Sequence, residues 1–159
     1  MPHIIPNLWF DTQGEEAAEF YVSVFPNSKI TAVTHYGEAG PGPAGTVLTV
    51  SFMLDGNEFI AINGGPAFTF DEAVSFMIEC ADQEEIDFYW DKLTADGGQE
   101  SQCGWLKDKF GLSWQVAPAG MEEALNDPDA ARSQRMMKAM LGMQKIDIAA
   151  LHAAADGNA

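Results

Sequence analysis

Hydrophobic positions along this chain change period in a fixed order, and the order occurs twice. Residues 4–11 are apolar and read as a strand broken early by Pro6. Ala17, Phe20, Tyr21 and Val24 then recur at i, i+3, i+4, i+7, which predicts a helix from Glu15 to Phe25. Pro26-Asn27-Ser28 stops it. Ile30 to Tyr36 is rich in β-formers, and Gly37 to Gly45 is a loop with four glycines and two prolines. Thr46–Leu54 and Glu58–Asn63 read as strands joined at Asp55-Gly56, a strong hairpin signal. Asn63-Gly64-Gly65-Pro66 breaks the last of them.

The second pass repeats this. Ala73–Cys80 reads as a strand and Gln83–Ala95 as a helix, with Asp82 as N-cap and Glu85 completing a capping box. Gly97-Gly98 ends that helix. Gln102–Lys107 and Leu112–Ala117 form a hairpin around Asp108-Lys109-Phe110-Gly111, where Gly111 takes a positive φ. The helical segments share a motif, Glu15-to-Tyr21 against Glu84-to-Tyr89, with Phe20 and Phe88 standing 68 residues apart. A long-period repeat decides the architecture. Two copies predict an α+β fold of tandem βαβββ modules, the first at about 3–66 and the second at about 73–118, within one domain of 159 residues. A helical tail follows over about 120–156. Asn126-Asp127-Pro128-Asp129 starts a helix with Pro128 at its first position, running to about Leu141. Met136, Met137, Met140 and Leu141 make its apolar stripe, and a last helix spans Asp147 to about Ala155.

Composition narrows the function classes. The formal charge is −16, from 24 acidic and 8 basic residues. Such a surface repels phosphate backbones and anionic lipids, so no nucleic acid and no membrane partner are expected. No apolar run reaches the roughly 18 residues of a membrane span. The start, Met1-Pro2-His3-Ile4-Ile5, has no basic n-region, and two cysteines, Cys80 and Cys103, make no disulfide framework. The expectation is a cytoplasmic protein with reduced thiols.

Longer motifs carry a resemblance. Pro6-Asn7-Leu8-Trp9-Phe10-Asp11, Glu16-Ala17-Ala18-Glu19-Phe20-Tyr21, Phe25-Pro26-Asn27-Ser28, Ile62-Asn63-Gly64-Gly65-Pro66 and Ser75-Phe76 occur in order. The run from Cys103-Gly104-Trp105 to Ser113-Trp114-Gln115 is the longest. Together they resemble the PhnB-like family of the vicinal oxygen chelate superfamily, which also holds glyoxalases, bleomycin-resistance proteins and ring-cleaving dioxygenases. The family often carries the label 3-demethylubiquinone-9 3-methyltransferase. The resemblance implies the tandem βαβββ fold with C-terminal helices, a homodimer to which the methionine-rich tail contributes, and a small-molecule ligand in a cleft. Three activities follow from it as alternatives. One is binding without metal. Another is glyoxalase- or dioxygenase-type lyase or oxidoreductase chemistry on a divalent metal. The third is the methyl transfer of the label. Methyl transfer from S-adenosylmethionine usually uses a glycine-rich turn between strand and helix. No G-x-G-x-x-G follows a strand here.

The metal is tested by ligand positions. Glyoxalase-type relatives hold a divalent ion with His and Glu on inward-facing strand positions. The resemblance puts Pro6 near the first such position, Asn63 (or Ala61) near the second, Ser75 near the third and Gln115 near the fourth. None is a strong ligand, and His3, His35 and His152 share no ligand spacing. No metal and no other cofactor are expected. Strand alternation then predicts the cleft lining. If Ser75 and Gln115 point inward, so do Met77 and Ser113. Leu8 and Phe10 share the face of Pro6, and Phe59 and Ala61 that of Asn63. The expected ligand-binding set is therefore Leu8, Phe10, Asn63, Ser75, Met77, Ser113 and Gln115, suited to a small, partly aromatic molecule. Phe68 and Phe70 stand at its mouth. Glu79, of the same parity as Met77, is the candidate general acid or base. Cys103 and Trp105 share a strand face, and Cys103 reads as a structural thiol.

Overall fold

The computed structural model describes residues 1–158. Backbone contacts divide them after Phe70 into two compact units. Unit one runs β1 (Asn7–Phe10), α1 (Gly14–Val24), β2 (Lys29–His35), β3 (Val47–Leu54) and β4 (Asn57–Asn63). Its sheet has the order β1-β4-β3-β2, with β1 parallel to β4 and the other pairs antiparallel. Unit two runs β5 (Ser75–Cys80), α2 (Gln83–Thr94), a 3₁₀ turn (Ala95–Gly97), β6 (Gln99–Glu100), β7 (Trp105–Lys107) and β8 (Ser113–Pro118). Its sheet, β5-β8-β7-β6, repeats the topology strand for strand. The tail adds α3 (Met121–Leu125), α4 (Ala130–Leu141) and α5 (Ile148–Ala155).

Local chemistry sets most of the boundaries. Asp55 and Gly56 both take positive φ, at 47° and 79°, between paired Leu54 and Asn57. This is the two-residue turn whose twist suits a hairpin. Asp82 accepts from Glu85 N at 3.0 Å, while Glu85 Oε2 accepts from Ala81 N at 2.9 Å. The capping box therefore closes one residue earlier than the standard pattern. Asp129 caps α4 by accepting from Arg132 N and Asp147 caps α5 by accepting from Ala150 N, each without a reciprocal bond from the third helical residue. Pro128 thus precedes the cap of α4 instead of occupying its first turn. The short α3, starting after Gly120 at φ 82°, has no side-chain cap and escaped the sequence pattern.

Each helix covers one sheet face. In unit one Ala17, Tyr21 and Val24 are buried, and the Tyr21 ring stacks on Phe52, which stacks on Phe59. Val50, Phe52, Leu54 and Ala61 complete this core. In unit two Ile86, Trp90 and Leu93 bury against Cys80, Leu106, Trp114 and Val116. Each such fully buried large side chain contributes roughly 1.5–3 kcal/mol.

The Cys103-to-Gln115 run is explained by two backbone constraints. Cys103 and Gly104 have φ of 58° and 84° and form a turn before β7, so Cys103 is not on the strand face expected for it. Their amides donate to the Met143 and Gln144 carbonyls at 2.8 Å each. A Cβ on Gly104 would lie 2.8 Å from the Val116 carbonyl oxygen, so only glycine fits. Between β7 and β8, buried Asp108 accepts from Phe110 N (2.9 Å), Leu112 N (3.1 Å) and Trp114 Nε1 (2.9 Å). Gly111, at φ 88°, completes the turn as expected.

Asp108→Ala removes the acceptor of all three donors. It is expected to cost about 2–4 kcal/mol, since buried unpaired donors are expensive. Urea unfolding followed by tryptophan fluorescence measures this; a loss under about 0.5 kcal/mol means the hairpin does not depend on Asp108.

Candidate functional site

Strand register decides which side chains each helix leaves free. In unit two Ser75 pairs with Ser113, Met77 with Gln115 and Glu79 with Ala117. Trp105 pairs with Gln115, and Lys107 with Ser113. Paired residues share a face, and this face is opposite the one under α2. Ser75, Met77, Glu79, Ser113 and Gln115 thus lie together on the open face, as the alternation predicted. Gln115 Nε2 donates to Ser75 Oγ at 2.9 Å. Met77 is 58% exposed and Glu79 is exposed at the strand end. Ser113 is only 1% exposed, and its hydroxyl has no hydrogen-bond partner among the described residues. Such groups are rare and costly, so each asks for an explanation. Trp105 and Lys107 belong to the same face; Lys107 forms an ion pair with Glu72, from the segment before β5. Glu72 was missed because an exposed loop acid has no sequence signature. Lys107 was visible only as a parity partner.

Unit one departs from the expectation. Leu8 pairs with Ala61 and Phe10 with Asn63, while Val50 also pairs with Ala61. This is the face under α1: a Cβ on Gly14 would meet Asn63 Oδ1 at 2.7 Å and the Ala61 methyl at 3.4 Å. Leu8, Phe10 and Asn63 are buried at 6%, 4% and 8% exposure. Their expected place on an open face is therefore corrected. The cause is the anchor: Pro6 precedes β1, and its carbonyl accepts from Ile60 N. The 68-residue offset sets Asn7 against Ser75 and Trp9 against Met77, and these are the open-face positions of β1. Asn63 is a packing strap. Its Oδ1 accepts from Gly14 N at 2.7 Å and its Nδ2 donates to the Val47 carbonyl at 3.2 Å.

Asn63 also borders a cavity of about 430 Å³ in unit one, with Asp11, Glu15, Tyr36 and Pro43. The Tyr36 hydroxyl donates to the Asn63 carbonyl. Gly40 and Gly42 lie against the Tyr36 ring, where any Cβ would come within 2.7 Å. The glycine-proline loop is thus folded onto an aromatic ring, a relation its composition alone did not reveal. Phe68 and Phe70 make edge contacts with Trp9 and Phe10 inside unit one.

The donors for a divalent metal fit poorly. The open face of unit two offers hydroxyl, carboxamide, thioether, indole and ammonium groups, with Glu79 at its end. Among the described residues no three His, Cys, Asp or Glu gather where they could hold a metal ion. Cys80 is buried, and burial, with Glu85 and Asp82 adding to it, pushes its thiol up to about 12. It is an unreactive core thiol. Among the described residues no helix is long and apolar enough to cross a membrane.

Two βαβββ units of one topology, each a mixed four-stranded sheet with a helix on one face, define a protein of the glyoxalase-like, vicinal oxygen chelate fold. Residues 2–117 match the family described as 3-demethylubiquinone-9 3-methyltransferase. A PhnB protein of Bacillus cereus given the same description is 38% identical, with TM-score 0.67, over 74% of this chain and 100% of that one. The chain belongs to this PhnB family. A Pseudomonas aeruginosa protein is 20% identical (TM-score 0.60, 74% of this chain and 98% of the other). The fosfomycin resistance protein FosX of Listeria monocytogenes is 15% identical, with TM-score 0.53 over 79% and 95%, in a structure complexed with Mn(II) and sulfate. These two share the fold. No curated protein matches.

The ion pair makes a pH prediction. The hydrogen bond from Lys107 holds the Glu72 carboxyl below its ordinary value of 4.5. A depressed folded-state value means the stabilisation is present above about pH 4.5 and is lost as pH falls through the lowered value. Carbon-detected NMR titration of Glu72 is expected to give a midpoint below 4.5, returning towards it in Lys107→Met. An identical midpoint in both proteins means that Lys107 does not set the Glu72 titration.

Proposed function

We propose that this chain binds a small organic molecule against the open face of its second sheet, without a metal. The observation that carries the reading is Ser113: a buried hydroxyl with no partner among the described residues, on the same face as a hydrogen-bonded Ser75–Gln115 pair. A ligand hydrogen bond to Ser113 relieves the cost of that group. Exposed Met77 and the neighbouring Trp105 supply an apolar, adaptable and aromatic surface beside it. A few polar groups set into apolar surroundings are the usual composition of a small-molecule site. Glu79 stands exposed at the end of the same face and is the candidate for any proton transfer.

Metal-dependent chemistry finds little support in the side chains of this face, because hydroxyl, thioether and carboxamide groups are weak ligands for the divalent ions that His and Glu hold. The methyltransferase description is not carried by the site either. Neither unit has the parallel doubly wound sheet with a glycine-rich turn on which S-adenosylmethionine is commonly held. Fold membership alone does not transfer a reaction.

A fragment screen by protein-observed NMR is expected to shift the Trp105 indole and Gln115 carboxamide signals. Gln115→Ala should weaken those fragments about tenfold, the usual scale of one lost ligand hydrogen bond, with an unchanged unfolding midpoint. Fragments that move neither signal would falsify the assignment. Titration calorimetry with S-adenosylmethionine is expected to give no binding heat; saturable heat revives methyl transfer.

A further inference from the structure

Ser75, Ser113 and Lys107 form one row straight across β5, β8 and β7. Neighbours in such a row stand roughly 5 Å apart. All three are hydrogen-bond donors. The Ser75 oxygen accepts from Gln115, which leaves its own proton to give. The Ser113 hydroxyl has no hydrogen-bond partner among the described residues. Lys107 has three protons and is paired with Glu72. The row therefore has donor capacity left over, and the acceptor at its charged end is a carboxylate from the chain itself. The Glu72 side chain is 62% exposed, and an exposed ion pair contributes little. It is readily exchanged for another carboxylate that meets more donors.

We infer that the molecule received on this face is an organic monocarboxylate, its carboxylate replacing Glu72 on Lys107 and accepting from Ser113 and Ser75. Its apolar or aromatic body lies over Met77 and Trp105. This deepens the proposed function and rests on it. One ammonium matches one negative charge. A phosphate dianion needs more, and the other cation of the hairpin, Lys109, lies over the Phe110 ring at 5.5 Å. The net charge of −16 slows the approach of any anion, and more so of a doubly charged one. Glu72 then acts as a built-in competitor that keeps Lys107 occupied in the absence of ligand.

Benzoate, benzamide and inorganic phosphate are titrated into the whole chain at pH 7, read at the Trp105 indole and Gln115 carboxamide. Benzoate is expected to bind about tenfold tighter than benzamide, the scale of one charge-assisted contact. Glu72→Gln should raise the benzoate-to-benzamide ratio about threefold, as expected for removing a weak surface competitor. Lys107→Met should erase the preference. Benzamide binding as well as benzoate, a ratio unmoved by Glu72→Gln, or phosphate binding more tightly than benzoate each overturns the carboxylate while leaving the open-face site standing. If neither benzoate nor benzamide moves Trp105 or Gln115, the site and the inference fall together. Glu72→Gln is a loop substitution outside the core, so its readout does not depend on Lys107→Met folding.

Discussion

One helix covers only one face of a four-stranded sheet, and the division of residues in this protein follows from that constraint. Tyr21 and Val24 commit the even positions of β3 to the core of unit one. Trp90 and Leu93 do the same to Leu106, Trp114 and Val116 in unit two. Register then extends the choice to every paired strand, since a slip of one residue exchanges the faces. What is left over is the chemistry available to the outside: Asn7, Trp9, Thr49 and Ser51 in one unit, and Ser75, Gln115, Trp105 and Lys107 in the other.

The architecture was legible because short-range signals fix it. The Asp55-Gly56 turn, the Asp82–Glu85 box and Gly111 act within a few residues, and each is stated in the sequence itself. Face assignment in unit one was not, because it depends on where β1 begins. The expected parity of β1 sets Pro6 inward, yet pairing starts at Asn7 and the residues of Pro6's parity, Leu8 and Phe10, lie under α1. A similar one-residue shift hides in the repeated helices. The motif aligns Tyr21 with Tyr89, but the residue buried at the corresponding place is Trp90, because α2 starts eight residues after the start of β5 whereas α1 starts seven after that of β1. Side-chain matching by eye follows identity, while burial follows the 3.6-residue period. Placement on the face opposite α2 was legible where strand parity alone was needed, as at Ser75, Met77 and Gln115. Residues were not legible where a loop supplies them, as with Glu72, or where a loop folds onto a ring, as at Tyr36.

The motif that most clearly marks the family is largely spent on holding the hairpin. Gly104 is required by the approach of the Val116 carbonyl, and Asp108 ties down Phe110, Leu112 and Trp114. Likeness along Cys103–Gln115 therefore reports a shared scaffold. Trp105, Lys107, Ser113 and Gln115 lie on the sheet face opposite α2, and none of them supplies a hydrogen bond that holds the turn. This is the physical sense in which the family is clear while its reaction is not.

The tail fastenings have a consequence for the order in which the molecule assembles. Gln83 donates to the Ile146 carbonyl and accepts from Ile148 N, at 2.9 Å each, while Met143 and Gln144 receive the Cys103 and Gly104 amides. Those partners lie about 40 and 65 residues apart along the chain, by the residue numbers. Unit one is closed by pairings within its first seventy residues. During synthesis from the N-terminus every pairing of the first sheet is available early, whereas the Cys103–Gly104 turn and Gln83 of the second unit stay unfastened until the segment around Ile146 has emerged. Non-local closure of this kind is slow and leaves strand surface open meanwhile. The two halves share a plan but not a timetable.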